Sequence, residues 1–320
     1  METSFSMVRL YFFGPFFCLW LSTSLIFAQE VDQDSLNVPN QQLELRHDND
    51  FLLTTDKYYS SGLFLTYRKK LKKGLLSPWD EQVAISVLQQ VYTPSNIQSE
   101  VLSDHDRPYA AFTGLQFNWA STSDRWHIGI DGLLGQAGPD SGAGNFQRWY
   151  HNAVVISPPP VWEGEIANSF HSNIYLKAVR EWEWIPNPFG IRAAVELNSA
   201  AGSKDIFLEP GIALHFGRRN PMRQSIAYEQ LGSLEREIYF TLRLSQRYVY
   251  RNSLIEGHPS GDESPLVFSP EKEVLHIGFD LYHRFKRHDY KVSYRYLGPE
   301  VLDNGSHNYL ILSYAYSFGS

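Results

Sequence analysis

Four polar clusters in the first half of the chain hold the residue types from which a hydrolytic site is built. The first is Asp48-Asn49-Asp50, followed by Thr55-Asp56-Lys57-Tyr58-Tyr59-Ser60-Ser61-Gly62. The second is Gln90-Val91-Tyr92-Thr93-Pro94, and the third is Asp104-His105-Asp106-Arg107-Pro108-Tyr109-Ala110. The fourth is Gln147 with His151, whose i,i+4 spacing puts both on one face of a helix. A neutral imidazole, with an unperturbed pKa near ~6.5, can accept a proton from water. Asp50, Asn49, Ser60 and nearby backbone carbonyls are hard oxygen ligands of the kind calcium takes. A calcium ion there would act as a Lewis acid on the oxyanion formed when water attacks an ester.

Each cluster also has a plainer reading. Asp and Asn runs are commonly turn residues whose side chains bond the local backbone. Asp106-Arg107 could be a structural ion pair, and a lone histidine is usually just a polar residue. Several chemistries are excluded outright. There is no G-x-S-x-G elbow, no H-E-x-x-H zinc helix and no phosphate loop. The one cysteine, Cys18, lies in an apolar N-terminal run. A mature chain without it has no disulfide scaffold, thiolate zinc site or cysteine nucleophile.

The elements that must position these residues read as strands. Val83, Ile85, Val87 and Val91 alternate with Ala84, Ser86 and Gln90. Trp126, Ile128, Ile130 and Leu134 alternate with His127, Gly129 and Asp131, and the pattern recurs from Val274 to Arg284 and from Tyr309 to Phe318. About twelve such segments fall near 41–50, 60–70, 81–92, 109–120, 125–135, 172–184, 190–201, 206–217, 235–250, 271–286, 288–298 and 308–318. Each has about the length, ~9–11 residues, of a tilted strand that crosses a bilayer. Some are joined by short turns, Arg287-His288-Asp289 and Gly202-Ser203-Lys204 among them. Trp119, Trp126, Trp182, Trp184, Tyr248 and Tyr250 cluster at segment ends, as in the aromatic girdles of a membrane barrel. The expected fold is an all-β transmembrane antiparallel barrel of about twelve strands. A soluble β-sandwich or lipocalin-like barrel is the competitor, because alternation does not say whether the apolar face meets lipid or a second sheet.

The rest of the composition agrees. The chain has 320 residues, 43% hydrophobic and 15% aromatic, which is too apolar for a disordered coil. Past the N-terminus no apolar run reaches the ~20 residues of a spanning helix. Lys+Arg 28 against Asp+Glu 35 gives -7, which disfavours a nucleic-acid binder. Leu10 to Phe27 is almost wholly apolar, follows Arg9 and ends at Ala28 before Gln29-Glu30. This predicts a signal peptide over 1–28 and one barrel domain over 29–320. Gly135 to Ala167 breaks the strand pattern, with a glycine-rich turn, a short helix around Asn145 to Val155 and a Pro158-Pro159-Pro160 run. Long connections of this kind are often functional.

Taken in order, DND, TDKYYSSG, QQVYTP, DRPYA, GPDSG, NFQRWYH and VW resemble the lipid A 3′-O-deacylase family of outer-membrane β-barrels. The resemblance runs from about Gln41 onward and is densest between Asp48 and Trp162. It implies a twelve-stranded barrel of the bacterial outer membrane that hydrolyses the ester holding the 3′-acyloxyacyl group of lipid A, with calcium. It also implies that Asn49, Asp50 and Ser60, where the family has Thr, belong to the active site. Gln147 and His151 match its Gln-x-x-x-His pair, with His151 as general base, and Trp162 matches the following tryptophan. The partners implied are lipopolysaccharide as substrate and the surrounding outer-membrane lipids. Three positions depart from the family. Its lysine has no counterpart near Ser99 and Glu100, Ala111 replaces a glycine, and Glu165 stands where a glutamine is common. An outer-membrane phospholipase and a non-catalytic barrel or porin remain as alternatives. The first would need a serine nucleophile close to a histidine.

Overall fold

The computed structural model describes residues 38–50, 57–154, 158–302 and 304–319. The signal peptide expected at 1–28, with Cys18, and residues Thr55 and Asp56 of the first cluster lie outside them. Twelve antiparallel strands close into one barrel, each bonded to its chain neighbours, with the last returning to the first. They are β1 (Gln41–Asn49), β2 (Tyr58–Lys70), β3 (Asp80–Thr93), β4 (Ala110–Thr122), β5 (Trp126–Ala137), β6 (Ser169–Ile185), β7 (Gly190–Gly202), β8 (Asp205–Arg218), β9 (Glu237–Asn252), β10 (Glu273–Phe285), β11 (His288–Leu297) and β12 (His307–Phe318). Two helices interrupt them, α1 (Ala143–Val154) and the single turn α2 (Ser253–Glu256). Every segment expected from alternation carries a strand. One turn differs: the β10–β11 connection is Lys286-Arg287, with Lys286 at φ 55°, and His288 already pairs with Phe285. A two-residue hairpin turn of this hand matches the strand twist, which a longer Arg-His-Asp turn would not.

Alternation has the expected physical consequence. Leu43, Leu45, Leu65, Val87, Leu115, Leu134, Ile212, Leu242 and Phe279 are exposed on the outer wall. No second sheet covers them, which removes the sandwich reading. A continuous apolar belt of this kind is the lipid-facing surface of a transmembrane barrel. Trp126, Trp182 and Trp184 mark one rim, and Tyr248 and Tyr250 the other.

The inward set is polar and paired. Arg68 meets Glu44 at 2.5 Å and Glu229 at 2.7 Å, and Arg247 meets Glu209 at 2.7 Å. Arg243 joins Glu196 and, at 2.9 Å, Asp280. Residues 219–236, between β8 and β9, fold into the lumen. Their Met222, Ile226 and Tyr228 pack on Val179, Tyr239 and Tyr282. Arg284 fixes that segment by donating to the carbonyls of Gln224 at 2.7 Å and Gln230 at 3.1 Å. At the other end Leu254 and Ile166 pack on Leu88, Phe112 and Leu133. A polar cavity of about 230 Å³ lies within, lined by Arg46, Arg68, His127, Asp131 and Lys177 among others.

The connections at 94–109, 138–168 and 253–272 leave from the end where β1 finishes. By the general rule for these barrels, the long loops face outward from the cell.

Candidate active site

Outward-pointing residues near that rim are small where the apolar belt would otherwise continue. In β4, Phe112 packs inward, so Ala111 and Thr113 face out. In β3, Leu88 packs inward, so Gln89 and Val91 face out. Val91 and Ala111 are nevertheless fully buried, because α1 lies on them from outside. Ala143 of α1 joins Val91, Ala111, Tyr109 and Trp162 in one cluster. The helix is seated by Thr113, whose hydroxyl donates to the Ser141 carbonyl at 2.8 Å, and by Gly138 N–H to the Ala111 carbonyl at 3.0 Å. Trp162 closes the far side. Its indole stacks on Tyr109 with centroids 5.1 Å apart, and a Cβ on Gly144 would meet it at 3.0 Å. A side chain there would require the indole or the helix to move by a few tenths of an ångström.

The i,i+4 expectation for Gln147 and His151 holds. They are 5% and 7% exposed, on the face toward the wall, whereas Phe146 and Trp149 are 43% and 61% exposed on the opposite one. Phe146 and Trp149 also touch each other, with ring centroids 5.5 Å apart.

Ser60 reaches this helix through a bulge. Tyr59 pairs with Tyr92 and Ser61 pairs with Val91, so Ser60 is an extra residue in β2. Tyr59 points inward, its hydroxyl donating to Asp48 at 2.9 Å, while Ser61 points outward. The extra residue lets Ser60 present its hydroxyl to the outside, where Gln147 Nε2 donates to it at 3.4 Å. Bulges commonly re-aim side chains beside active sites. The Ser60 carbonyl accepts from Asn49 Nδ2 at 3.3 Å and from Asp50 N–H at 3.4 Å. Asp50 is fully buried and accepts the Lys57 N–H at 2.8 Å. Three chain segments therefore meet on the outer wall: Asn49-Asp50, Ser60, and α1 with Gln147 and buried His151.

The other clusters are structural. Asp48 turns into the barrel, bonded to Arg46 and Tyr59. Asp106 and Arg107 do not pair with each other. Asp106 accepts from Tyr58 and Ser95, while buried Arg107 lies 3.5 Å from Glu300 and over the Tyr92 ring. His105 binds the Ser99 carbonyl at 2.9 Å. Gln90 shares the inward face of β3 with Leu88. Glu165, already noted as a departure from the family, is partly buried and bridges to Tyr109. Burial raises its carboxyl to about 7, with Arg148 of α1 opposing that rise. Only its position after Trp162 in the sequence hinted at this.

The donor set fits a hard cation. Asp50 supplies a carboxylate, Ser60 a hydroxyl, Asn49 and Gln147 amide oxygens. The Gln147 Oε1 is buried and has no hydrogen-bond partner among the described residues, as expected of an oxygen reserved for a ligand. No cluster of three or more His, Cys, Asp or Glu that could hold a metal occurs among the described residues. Among the described residues this set holds one carboxylate, and ligand charge is what sets affinity for calcium.

A closed twelve-stranded barrel with an apolar outer belt and a polar site on its outer wall is an outer-membrane protein of the bacterial type. The family model described as outer membrane protein LpxR matches residues 16–318, and the chain belongs to that family. Among solved structures, LpxR from Salmonella typhimurium is similar at 16% identity and a TM-score of 0.71, covering 87% of this chain and 100% of that one. The β domain of the Bordetella autotransporter BrkA is more remote, at 15% identity and a TM-score of 0.45, with 88% and 100% covered. No curated protein sequence matches.

Proposed function

We infer that the chain is a calcium-dependent ester hydrolase that removes the 3′-acyloxyacyl group of lipid A in the outer membrane. One observation carries the reading: α1 buries Gln147 and His151 against the outer wall and bonds Gln147 to Ser60, on the side where a membrane lipid lies. Water is a poor nucleophile at neutral pH. The neutral imidazole of His151 takes its proton as the ester carbonyl is attacked, and later returns it to the departing sugar oxygen. Gln147 and the Ser60 hydroxyl orient the site. Asp50, Asn49 and Ser60 would hold the calcium, which when bound stabilises the tetrahedral oxyanion as a Lewis acid. The acyl chains stay in the lipid throughout, since the site opens on the wall and not into the lumen.

The test is mass spectrometry of lipid A from cells expressing the chain, in calcium and in chelator. A calcium-dependent loss of one acyloxyacyl unit, absent with His151→Ala, supports the reading. No change in either condition, with the barrel folded, sinks it.

A further inference from the structure

The strand register lays out the lipid-facing wall as rows of side chains. One row runs Leu45, Leu65, Val87, Leu115, Leu134, all apolar. Two residues nearer the candidate site, the row runs His47, Leu63, Gln89, Thr113, Gln136 and ends at Phe170 of β6. The next row, Asn49, Ser61, Val91 and Ala111, is the site's own floor. So Gln89, Thr113 and Gln136 form a contiguous polar stretch on β3 to β5 between the apolar belt and the site. Elsewhere on the same half of the wall Phe170, Tyr248, Tyr250 and Tyr294 make the expected aromatic girdle, and Ser172 of β6 and Gln246 of β9 are isolated polar positions among apolar neighbours.

Amide side chains on a lipid-facing wall are unfavourable unless something bonds them, and such residues mark substrate paths by default. Part of the capacity here is used. Gln89 Nε2 donates to Thr113 Oγ1 at 3.4 Å, and Gln136 Nε2 donates to the Ala137 carbonyl at 3.0 Å. Each amide keeps a carbonyl oxygen and one N–H that make no hydrogen bond to the described residues.

We propose that Gln89 and Gln136 form a shelf beneath the active site that binds the amide and hydroxyl groups of substrate acyl chains. The chemistry selects the substrate class. The glutamine carbonyls need donors, and an amide-linked or hydroxylated chain supplies N–H or O–H close to its headgroup. The chains of a diacyl glycerophospholipid offer ester carbonyls alone. This rests on the lipid A reading above and sharpens it: the wall discriminates against glycerophospholipid before any bond is broken.

The test is the double variant Gln89→Leu/Gln136→Leu of the full chain in detergent micelles. Thr113 is left alone because it also seats α1. Leucine on a lipid-facing wall should leave folding intact, which heat-modifiable electrophoretic migration checks. Binding is measured in a His151→Ala background, with purified lipid A and with phosphatidylcholine as probes. The expected result is a Kd for lipid A raised about tenfold or more, the equivalent of one or two desolvated hydrogen bonds, with phosphatidylcholine, which has no N–H or O–H, unaffected. In active protein the same change should appear in KM more than in kcat. Lipid A affinity unchanged within about twofold, or an equal loss for both lipids, overturns the shelf. The binding arm needs no turnover. An inactive enzyme that still shows the tenfold difference would refute the hydrolase reading and leave the shelf standing.

Discussion

Gln147 and Ser60 lie 87 residues apart in the chain, and the Gln147 amide donates to the Ser60 hydroxyl at 3.4 Å. The contact joins α1, on the outer wall, to the extra residue at the bulge in the β2–β3 register. It is the joint on which the site depends. If it orients the reacting groups, Ser60→Thr should keep most activity, because the hydroxyl remains and a β-branched residue suits a strand. Ser60→Val, similar in shape but without the hydroxyl, should lower kcat roughly 10- to 100-fold. Lipid A turnover by purified protein reads the difference; equal rates for both variants would deny the hydroxyl any part.

His151→Ala should cost about 10²–10⁴-fold in rate, the usual contribution of a positioned general base. The barrel should fold as before, because His151 sits on a helix outside the lumen. Retained deacylation would remove His151 from the chemistry.

Chelation should abolish activity, and calcium should restore it at a concentration set by the charge of the ligands, Asp50 among them. Asp50→Asn should raise the calcium requirement, or eliminate turnover altogether. A titration of rate against free calcium in both proteins measures this. An Asp50→Asn curve superimposing on that of the parent would place the ion elsewhere.

Glu165 gives a pH dependence with a definite sign. Its folded carboxyl titrates about 7, above its ordinary value, because it is largely buried. A raised carboxyl pKa carries no penalty below the unfolded value near ~4.5 and destabilises progressively as pH rises toward 7. Glu165→Gln should therefore stabilise the 158–168 segment at pH 8 by on the order of 1–2 kcal/mol, allowing for its remaining exposure, and change little at pH 5. Limited proteolysis of this loop at the two pH values reads it. A gain of the same size at pH 5 would contradict the burial argument.

Gly144→Val should push α1 away from Trp162, since a Cβ there already meets the indole at 3.0 Å. A shift of about 1 Å in catalytic groups can cost ~100-fold in rate. Kinetics with unchanged barrel migration would register that loss; full activity would mean that the helix tolerates more room than its packing suggests.

Much of this protein is local pattern and therefore legible in the sequence. Period-two alternation sets which side chains face lipid and which face the lumen, and it located all twelve strands. The i,i+4 spacing put Gln147 and His151 on one face because helix geometry is fixed at 3.6 residues per turn. The order of short motifs carried the family. Other features depend on where distant segments land. Asp48 and Asn49 are neighbours with the same apparent promise, yet strand parity sends Asp48 to the lumen and Asn49 to the outer wall. Asp106-Arg107 reads as an ion pair, but its two members bond Tyr58 and Glu300 on other strands and loops. The bulge at Ser60 is invisible without the register of β3, and the polar row of Gln89, Thr113 and Gln136 exists only once three strands are laid side by side. Alternation fixes the face of each residue because it is a property of one strand. Register and helix landing join strands, so only the closed barrel determines them.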